Sequence, residues 1–126
     1  AEVEALLRRR VRAVAAPSRW LETGPLTVYE ALAAGIPAVA SDWAGAGEKI
    51  RDGETGFVVA PDVAALAEAF GRLKDDALVR RLGAAAHERY WAAPMTLATH
   101  AAALCDLYAG MTGAAEAPSF QRSAVM

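Results

Sequence analysis

Two glutamates with a glycine–proline pair between them are the residues best suited to chemistry in this sequence. Glu22 and Glu30 stand eight residues apart, and Gly24 and Pro25 lie between them. The surrounding residues predict a strand before Glu22 and a helix that carries Glu30. Carboxylates accept hydrogen bonds from hydroxyl groups, and a helix N-terminus binds phosphate. The pattern therefore favours a site for a phosphorylated sugar over the alternative of two solvated acids.

The start of the predicted helix would supply the phosphate-binding part of this site. Pro25 is typical of the first helical position, because its φ is already helical and its missing amide proton would have no partner there. Gly24 then occupies the N-cap, and the backbone amides of Leu26 and Thr27 are free to point toward an anion. A helix N-terminus in this state carries roughly half a positive charge.

Glu30 is predicted to face away from the protein core. At about 100° per residue, the apolar side chains of the helix cluster on one face: Val28, Tyr29 and Leu32. The opposite face carries Leu26, Thr27, Glu30 and Ala34. A carboxylate placed there can accept two hydrogen bonds from a vicinal diol such as that of ribose, each worth about 1.5–3 kcal/mol.

The composition limits the classes of protein that the chain can represent. Its 126 residues are 55% apolar and 22% charged, which indicates one folded domain rather than a disordered segment. A net charge of -2 with scattered arginines argues against nucleic-acid binding, and the basic run Arg8–Arg10 with Arg12 is interpreted as a solvated helix face. The single Cys105 excludes an intrachain disulfide and a multi-cysteine metal site, and is expected to be a small core residue.

Short apolar strands alternate with helices along the chain. The predicted strands are Val14–Ala16, Ile36–Ala40 and Phe57–Ala60. The predicted helices cover residues 2–12, 25–34, 62–74, 76–90 and 94–108, with Gly35 as a left-handed C-terminal residue and with Asp62 and either Asp75 or Asp76 as N-caps. This alternation predicts an α/β fold with a parallel sheet covered by helices.

Parallel sheets of this kind bind ligands at the carboxyl ends of their strands. Two predicted loops, residues 17–24 and 41–47, follow strands and therefore lie at such ends. Each loop contains a tryptophan, Trp20 or Trp43, for which packing within the loop is favoured over contact with a ligand. The glutamate motif and the predicted topology thus indicate the same edge of the sheet.

Four stretches of the sequence carry a resemblance to a known family. Residues 17–37, Val39–Ser41, Ala44–Glu48 and Asp52–Val59 resemble the C-terminal, donor-binding domain of family-4 type, retaining glycosyltransferases of group 1. The resemblance implies a partial Rossmann-like parallel sheet with flanking helices, the C-terminal half of a GT-B fold. It covers residues 1–110 as part of a nucleotide-sugar-binding domain, and residues 111–126 are expected to form a flexible tail.

The resemblance also implies roles for individual residues. Glu22 would lie near the donor sugar and contact its hydroxyls, and Glu30 would hold the ribose. The backbone at Gly24, Leu26 and Thr27 would face the diphosphate and the sugar. These enzymes use nucleotide-sugar donors without a metal, and the leaving phosphate is thought to assist the attack, so no catalytic nucleophile is expected from the protein.

Two departures from the family pattern affect what the chain is expected to do. The family often has Gly-Gly-x-Pro-Glu where this chain has Ala44–Glu48, so a looser turn is expected there. Compared with the family, we expect this chain to lack the upstream strands and the N-terminal acceptor domain, which would leave the first strand with an unpaired edge. We therefore expect a donor-binding portion that is inactive by itself, although a complete protein would be a hexosyltransferase-like enzyme.

Other readings of the same sequence stay open. The chain could be a non-catalytic nucleotide-sugar-binding or scaffold module, or part of an epimerase or phosphorylase with the same fold. The apolar face of the last helix would be partly exposed without its partner domain and could promote self-association: Leu97, Leu104, Cys105 and Tyr108. Because no apolar run approaches the ~20 residues of a membrane span, we expect a cytoplasmic enzyme, or one peripheral to the membrane at full length.

Overall fold

The computed structural model describes residues 6–7, 9–21, 23–94 and 96–113. The chain is divided into two compact units, Ala1–Ala93 and Pro94–Met126. The first unit contains the sheet and both loops that the sequence associates with a ligand. Glu22, Met95 and the residues of the expected tail from 114 onward lie outside the described residues.

A three-stranded parallel sheet forms the centre of the first unit. Its strands are β1 (Val14–Ala16), β2 (Ala38–Ser41) and β3 (Gly56–Val59), in the order β1-β2-β3. The predicted α/β fold class is thereby confirmed. β2 begins two residues later than predicted, at the first residue after Pro37, which has no amide to donate to a ladder. Within the described part of the chain β1 pairs with β2 on one side only, as an edge strand.

Three helices of the first unit flank the sheet: α1 (Leu26–Ala34), α2 (Val63–Arg72) and α3 (Asp76–Ala92). Residues 6–7 and 9–10 are also helical. Asp62 is the N-cap of α2, and its carboxylate accepts a hydrogen bond from the Ala65 amide at 2.9 Å. Asp75 caps α3 by accepting from the amides of Ala77 and Leu78. Both predicted N-caps are confirmed, and at the second one Asp75 is the capping residue.

The core lies on both faces of the sheet, because successive side chains of a strand point to opposite faces. One buried cluster surrounds the β2 alanines and joins α1 to the second loop: Val28, Leu32, Ala38, Ala40, Ala44, Ala46, Ile50 and Ala86. The other surrounds Val39: Val39, Phe57, Ala69, Leu73 and Leu82. The small side chains of β2 let α1 and α3 approach the sheet closely.

A third cluster corrects the prediction made for Ala34. Ala31, Ala34 and Ile36 are buried together, and Leu7, Val11 and Val14 pack against them. Ala34 is 6% exposed, although the helical wheel placed it on the solvent face. The wheel assumed one covered face, whereas α1 is covered on two sides.

The second unit contains α4 (Leu97–Thr112), which begins at a Thr96–Thr99 capping box and ends at Gly113. It extends four residues beyond the predicted end. Cys105 is half-buried, and no residue of α4 that the structure describes is buried, so the core position predicted for this thiol is wrong. Leu97 and Tyr108 are exposed, as expected for an uncovered apolar face, and self-association through it stays a prediction. Within the described ranges, no helix has the length and apolar character needed to cross a membrane.

Candidate functional site

Two loops leave the sheet at its carboxyl edge. Loop A (residues 17–24) follows β1, and loop B (residues 42–47) follows β2; since the strands are parallel, both emerge on the same side. The Ser41 hydroxyl at the end of β2 donates a hydrogen bond to the Ser18 carbonyl oxygen at 2.6 Å. At the other end of loop A, the position of a Cβ on Gly24 lies 3.6 Å from the Gly45 carbonyl carbon. Loop A is therefore held against the end of β2 at one point and against loop B at another.

The first turn of α1 begins one residue later than predicted. Pro25 is the N-cap rather than the first helical residue, because its ψ of 135° is extended, and the Val28 amide donates to its carbonyl oxygen at 3.1 Å. Gly24, with a φ of 124°, forms the turn that precedes it, a conformation that favours glycine. A proline side chain carries no hydrogen-bond acceptor, so no N-cap side chain covers the first amides of α1.

The exposed side of α1 carries three of the residues singled out from the sequence. Leu26, Thr27 and Glu30 are exposed, whereas Val28 and Leu32 are buried in the core. Glu30 follows Leu26 by about one helical turn, or ~6 Å along the axis. The structure thus places Gly24, Leu26, Thr27 and Glu30 along one end and one side of a single helix. Glu22 lies outside the described residues, and its role stays a prediction.

Loop B contains backbone hydrogen bonds in the stretch that departs from the family motif. The Gly47 amide donates to the Ala44 carbonyl oxygen at 2.9 Å and the Glu48 amide to that of Gly45 at 3.2 Å. Ala44 and Ala46 are buried, and a short 3-10 helix, Gly47–Lys49, closes the loop. Local hydrogen bonds thus close the turn before Glu48, and a turn looser than that of the family stays a prediction.

The tryptophans of both loops are exposed, which corrects the expectation that they pack. Trp20 is 69% exposed and Trp43 is 55% exposed. The inward positions of loop B are filled by Ala44 and Ala46, and that leaves Trp43 outside. Within the described ranges, no three histidine, cysteine or acidic residues are grouped to hold a metal ion. Independence from metals stays a prediction.

Two residues with long-range contacts were missed or misread in the sequence. Ser41 was noted as the first residue of a loop and within a stretch of family resemblance, and its position directly after a short apolar strand was the available signal in the sequence. Arg12 was counted as part of a solvated basic face, yet its guanidinium donates to the carbonyl oxygens of Leu73 at 2.6 Å and Lys74 at 2.9 Å. It also pairs with Asp76 at 2.6 Å. This hydrogen bond, reinforced by the charge of Arg12, holds the pKa of Asp76 below its ordinary value.

A parallel α/β sheet with contacting loops and an uncapped helix N-terminus at its carboxyl edge defines a class of ligand-binding domains. The family within that class is shown by the sequence match: residues 1–89 match the family described as glycosyl transferases group 1. The chain belongs to this family. The resemblance noted from the motifs is confirmed at the level of group 1.

Individual relatives agree with the family. The chain is 53% identical over 75 residues to an exopolysaccharide phosphotransferase of Streptomyces coelicolor, covering 57% of this chain and 8% of that protein. It is 44% identical over 90 residues to a glycogen synthase of Mycobacterium tuberculosis, covering 70% of this chain and 21% of that protein.

A solved structure extends the comparison to the fold. Sucrose-phosphate synthase from Thermosynechococcus elongatus superposes with a TM-score of 0.74 at 33% identity, and the match covers 90% of this chain and 28% of that one. This match supports the GT-B type of α/β fold expected from the sequence. The chain spans less than a third of the length of each of these three proteins.

Proposed function

We propose that this chain is the donor-binding portion of a retaining glycosyltransferase, which transfers a sugar from a nucleotide sugar to an acceptor. The observation that carries the proposal is the N-terminal end of α1, where a first turn without a side-chain cap and the exposed Glu30 lie at the carboxyl edge of the sheet. In a chain of the group 1 family, this arrangement suits the diphosphate and the ribose of a nucleotide.

The diphosphate and the ribose of the nucleotide each have a matching group on α1. The amides of Leu26 and Thr27 would donate to the diphosphate, where the helix dipole adds a favourable partial charge. Glu30, about 6 Å further along the axis, would accept hydrogen bonds from the two ribose hydroxyls. Gly24 lets the backbone of loop A approach the ligand closely because it has no side chain. Glu22 would contact hydroxyls of the donor sugar.

In the proposed chemistry, the protein binds and orients the donor and supplies no nucleophile. Retention would follow if the leaving phosphate guides the acceptor hydroxyl to the same face of the sugar, so that the acceptor loses its proton to that phosphate. Positioned donors at the diphosphate stabilise the charge that develops there as the glycosidic bond breaks. The acceptor would be held by a partner domain, in line with the small share of each relative that this chain covers.

One relative is named for a different reaction. The Streptomyces coelicolor protein is an exopolysaccharide phosphotransferase, but the match covers 8% of its length. A match over so small a share of that protein does not support a phosphotransferase reaction for this chain. The matches to the glycogen synthase and the sucrose-phosphate synthase cover larger shares of those proteins, which are named for the synthesis of glycogen and of sucrose phosphate.

Titration of nucleotides tests the proposal. UDP, GDP and ADP, each with and without an attached sugar, are titrated against the parent chain and against Glu30→Ala, with Glu68→Ala as the control because Glu68 is an exposed helical glutamate of α2. Losing a ribose contact of ~1.4 kcal/mol weakens binding about tenfold. We expect that loss for Glu30→Ala and unchanged binding for Glu68→Ala. Equal affinities in all three proteins, or no binding by the parent chain, would contradict the proposal.

A further inference from the structure

Ser41 is a buried hydroxyl at the base of the candidate site. Its residue is fully buried, at 0% exposure, and it is the last residue of β2. Its Oγ donates to the carbonyl oxygen of Ser18, 23 residues earlier in the chain, at 2.6 Å. This hydrogen bond joins the end of the central strand to the beginning of loop A. A buried hydroxyl must be hydrogen-bonded to avoid a desolvation cost, so the pairing holds the loop as well as satisfying the serine.

Loop A is held at its two ends and exposed between them. Ser18 is tied to Ser41 at one end, and Gly24 lies against the backbone of Gly45 and Ala46 at the other. The residues between, Arg19, Trp20 and Leu21, are exposed, and Leu21 is 89% exposed. A segment with little buried apolar surface depends on a few ties for its position. The Ser41 hydrogen bond is a side-chain contact that joins loop A to the end of β2.

We propose that Ser41 is a positioning residue for the donor site, and this inference rests on the proposed function. Its hydroxyl holds loop A in the position from which Gly24 and Pro25 enter α1. The first-turn amides of α1 and the backbone of loop B then face one common space. Ser41 acts through Ser18 and loop A and does not itself touch the nucleotide.

A matched buried hydroxyl distinguishes positioning from general stability. Thr55 is 1% exposed, and its Oγ1 accepts a hydrogen bond from the Arg51 amide at 2.9 Å, in the turn that precedes β3. Because it precedes a parallel strand, Thr55 lies at the edge of the sheet opposite to loop A. Ser41→Ala and Thr55→Val each remove one buried hydroxyl, and Ser41→Thr restores the donor at the first position.

Hydrogen exchange of the loop tests the tie without any ligand. Amide exchange is measured by mass spectrometry in peptides from loop A and from β2 and β3, for the parent chain and all three variants. We expect Ser41→Ala to exchange about fivefold to tenfold faster in loop A, as the loss of one hydrogen bond predicts, with the strands unchanged. In Thr55→Val, we expect the amides of loop A to exchange at the rate of the parent chain. In Ser41→Thr, we expect the exchange rate of loop A to return most of the way to that of the parent chain. If loop A of Ser41→Ala exchanged at the rate of the parent chain, the inference that the Ser41 hydrogen bond holds this loop would be wrong.

Nucleotide affinity tests the link from the tie to the site. The nucleoside diphosphate that the parent chain binds best is titrated against the same variants. We expect Ser41→Ala to weaken binding about threefold to tenfold, Ser41→Thr to recover it, and Thr55→Val to leave it unchanged. Faster loop exchange with unchanged affinity would overturn the positioning role. If the parent chain binds no nucleotide, the proposed function fails, and the exchange result alone decides whether Ser41 holds the loop.

Discussion

The two ends of helix α1 are built differently. At the C-terminal end, Gly35 adopts a left-handed conformation with a φ of 75°, and the amide of Ile36 donates to the Ala31 carbonyl oxygen at 2.8 Å. Gly83 of α3 approaches so closely that a Cβ there would collide with the Gly35 carbonyl oxygen. The Trp91 indole nitrogen donates a hydrogen bond to the Ala33 carbonyl oxygen at 3.1 Å. Side chains and neighbouring helices thus cover the carbonyl end of α1.

Among the residues that the structure describes, none covers the N-terminal end of α1 in a comparable way. Its N-cap is Pro25, whose side chain accepts no hydrogen bond, and Leu26 is 76% exposed. Thr27 and Glu30 are exposed on the same side. The difference indicates a division of roles along one short helix: the C-terminal end anchors α1 to the rest of the fold, and the N-terminal end is left open for an anionic ligand.

The largest effect is expected at the anchored end. Gly83→Ala would place a methyl group against the Gly35 backbone, which has no flexible side chain to move aside, and should lower the free energy of unfolding by about 3 kcal/mol. The control is Gly71→Ala in α2, where a Cβ meets nothing within 4 Å. There we expect a gain of about 0.5–1 kcal/mol, because alanine is the better helix former. Urea unfolding measures both, and a Gly83→Ala protein as stable as the parent would break the contrast between the ends.

A smaller loss is expected when the indole hydrogen bond is removed. Trp91→Phe keeps an aromatic ring beside Tyr90 but removes the donor to Ala33, and should cost about 0.5–1 kcal/mol in thermal unfolding. Trp43→Phe, at a similarly exposed tryptophan of loop B, is the matched control and should change stability by less than about 0.5 kcal/mol. If the two substitutions lowered the stability equally, the hydrogen bond from Trp91 would add nothing to the anchoring of the C-terminal end of α1.

The smallest effect concerns the amino edge of the sheet, where the C-terminal end of α1 also lies. Arg12 joins the end of α2 to the start of α3, and its pairing lowers the pKa of Asp76. A carboxyl group whose folded-state pKa is depressed stabilises the fold above its unfolded-state pKa, and this stabilisation is lost as the pH falls through the folded-state value.

The melting temperature should therefore fall slightly in Asp76→Asn at pH 7. The difference from the parent should shrink below about pH 4, where aspartate begins to be protonated. Glu68→Gln, on the exposed side of α2, serves as the control. A difference that stayed constant from neutral to acidic pH would show that the Arg12–Asp76 pair contributes nothing that depends on charge.

The parts of the fold that could be predicted from the sequence are those that local chemistry determines. Asp62 and Asp75 cap helices through amides two or three residues away, and Gly35 ends α1 by its own φ. The strand alternation and the position of the loops follow from short apolar runs. The exposure of Glu30 followed from helical periodicity, because Val28 and Leu32 mark the buried face clearly.

The parts that could not be predicted depend on residues far apart in the chain. Arg12 meets Leu73 across 61 residues and Ser41 meets Ser18 across 23, and no local pattern encodes either pairing. Ala34 was misplaced for the same reason, since its cover comes from the residues around Leu7 and Val11. Within the candidate site the helix start was misplaced by one residue, because the extended ψ of Pro25 depends on the turn at Gly24.

The central claim is that the open end of α1 binds a nucleoside diphosphate, and backbone amide NMR of the isotopically labelled chain tests it most directly. The nucleotides are added in turn, and the shift of every assigned amide is followed. We expect the largest shifts at Gly24, Leu26, Thr27 and Glu30 and in loop B, and almost no shift at Gly35 and Gly83. Shifts centred on the Gly35 end of the helix, or none with any nucleotide, would contradict it.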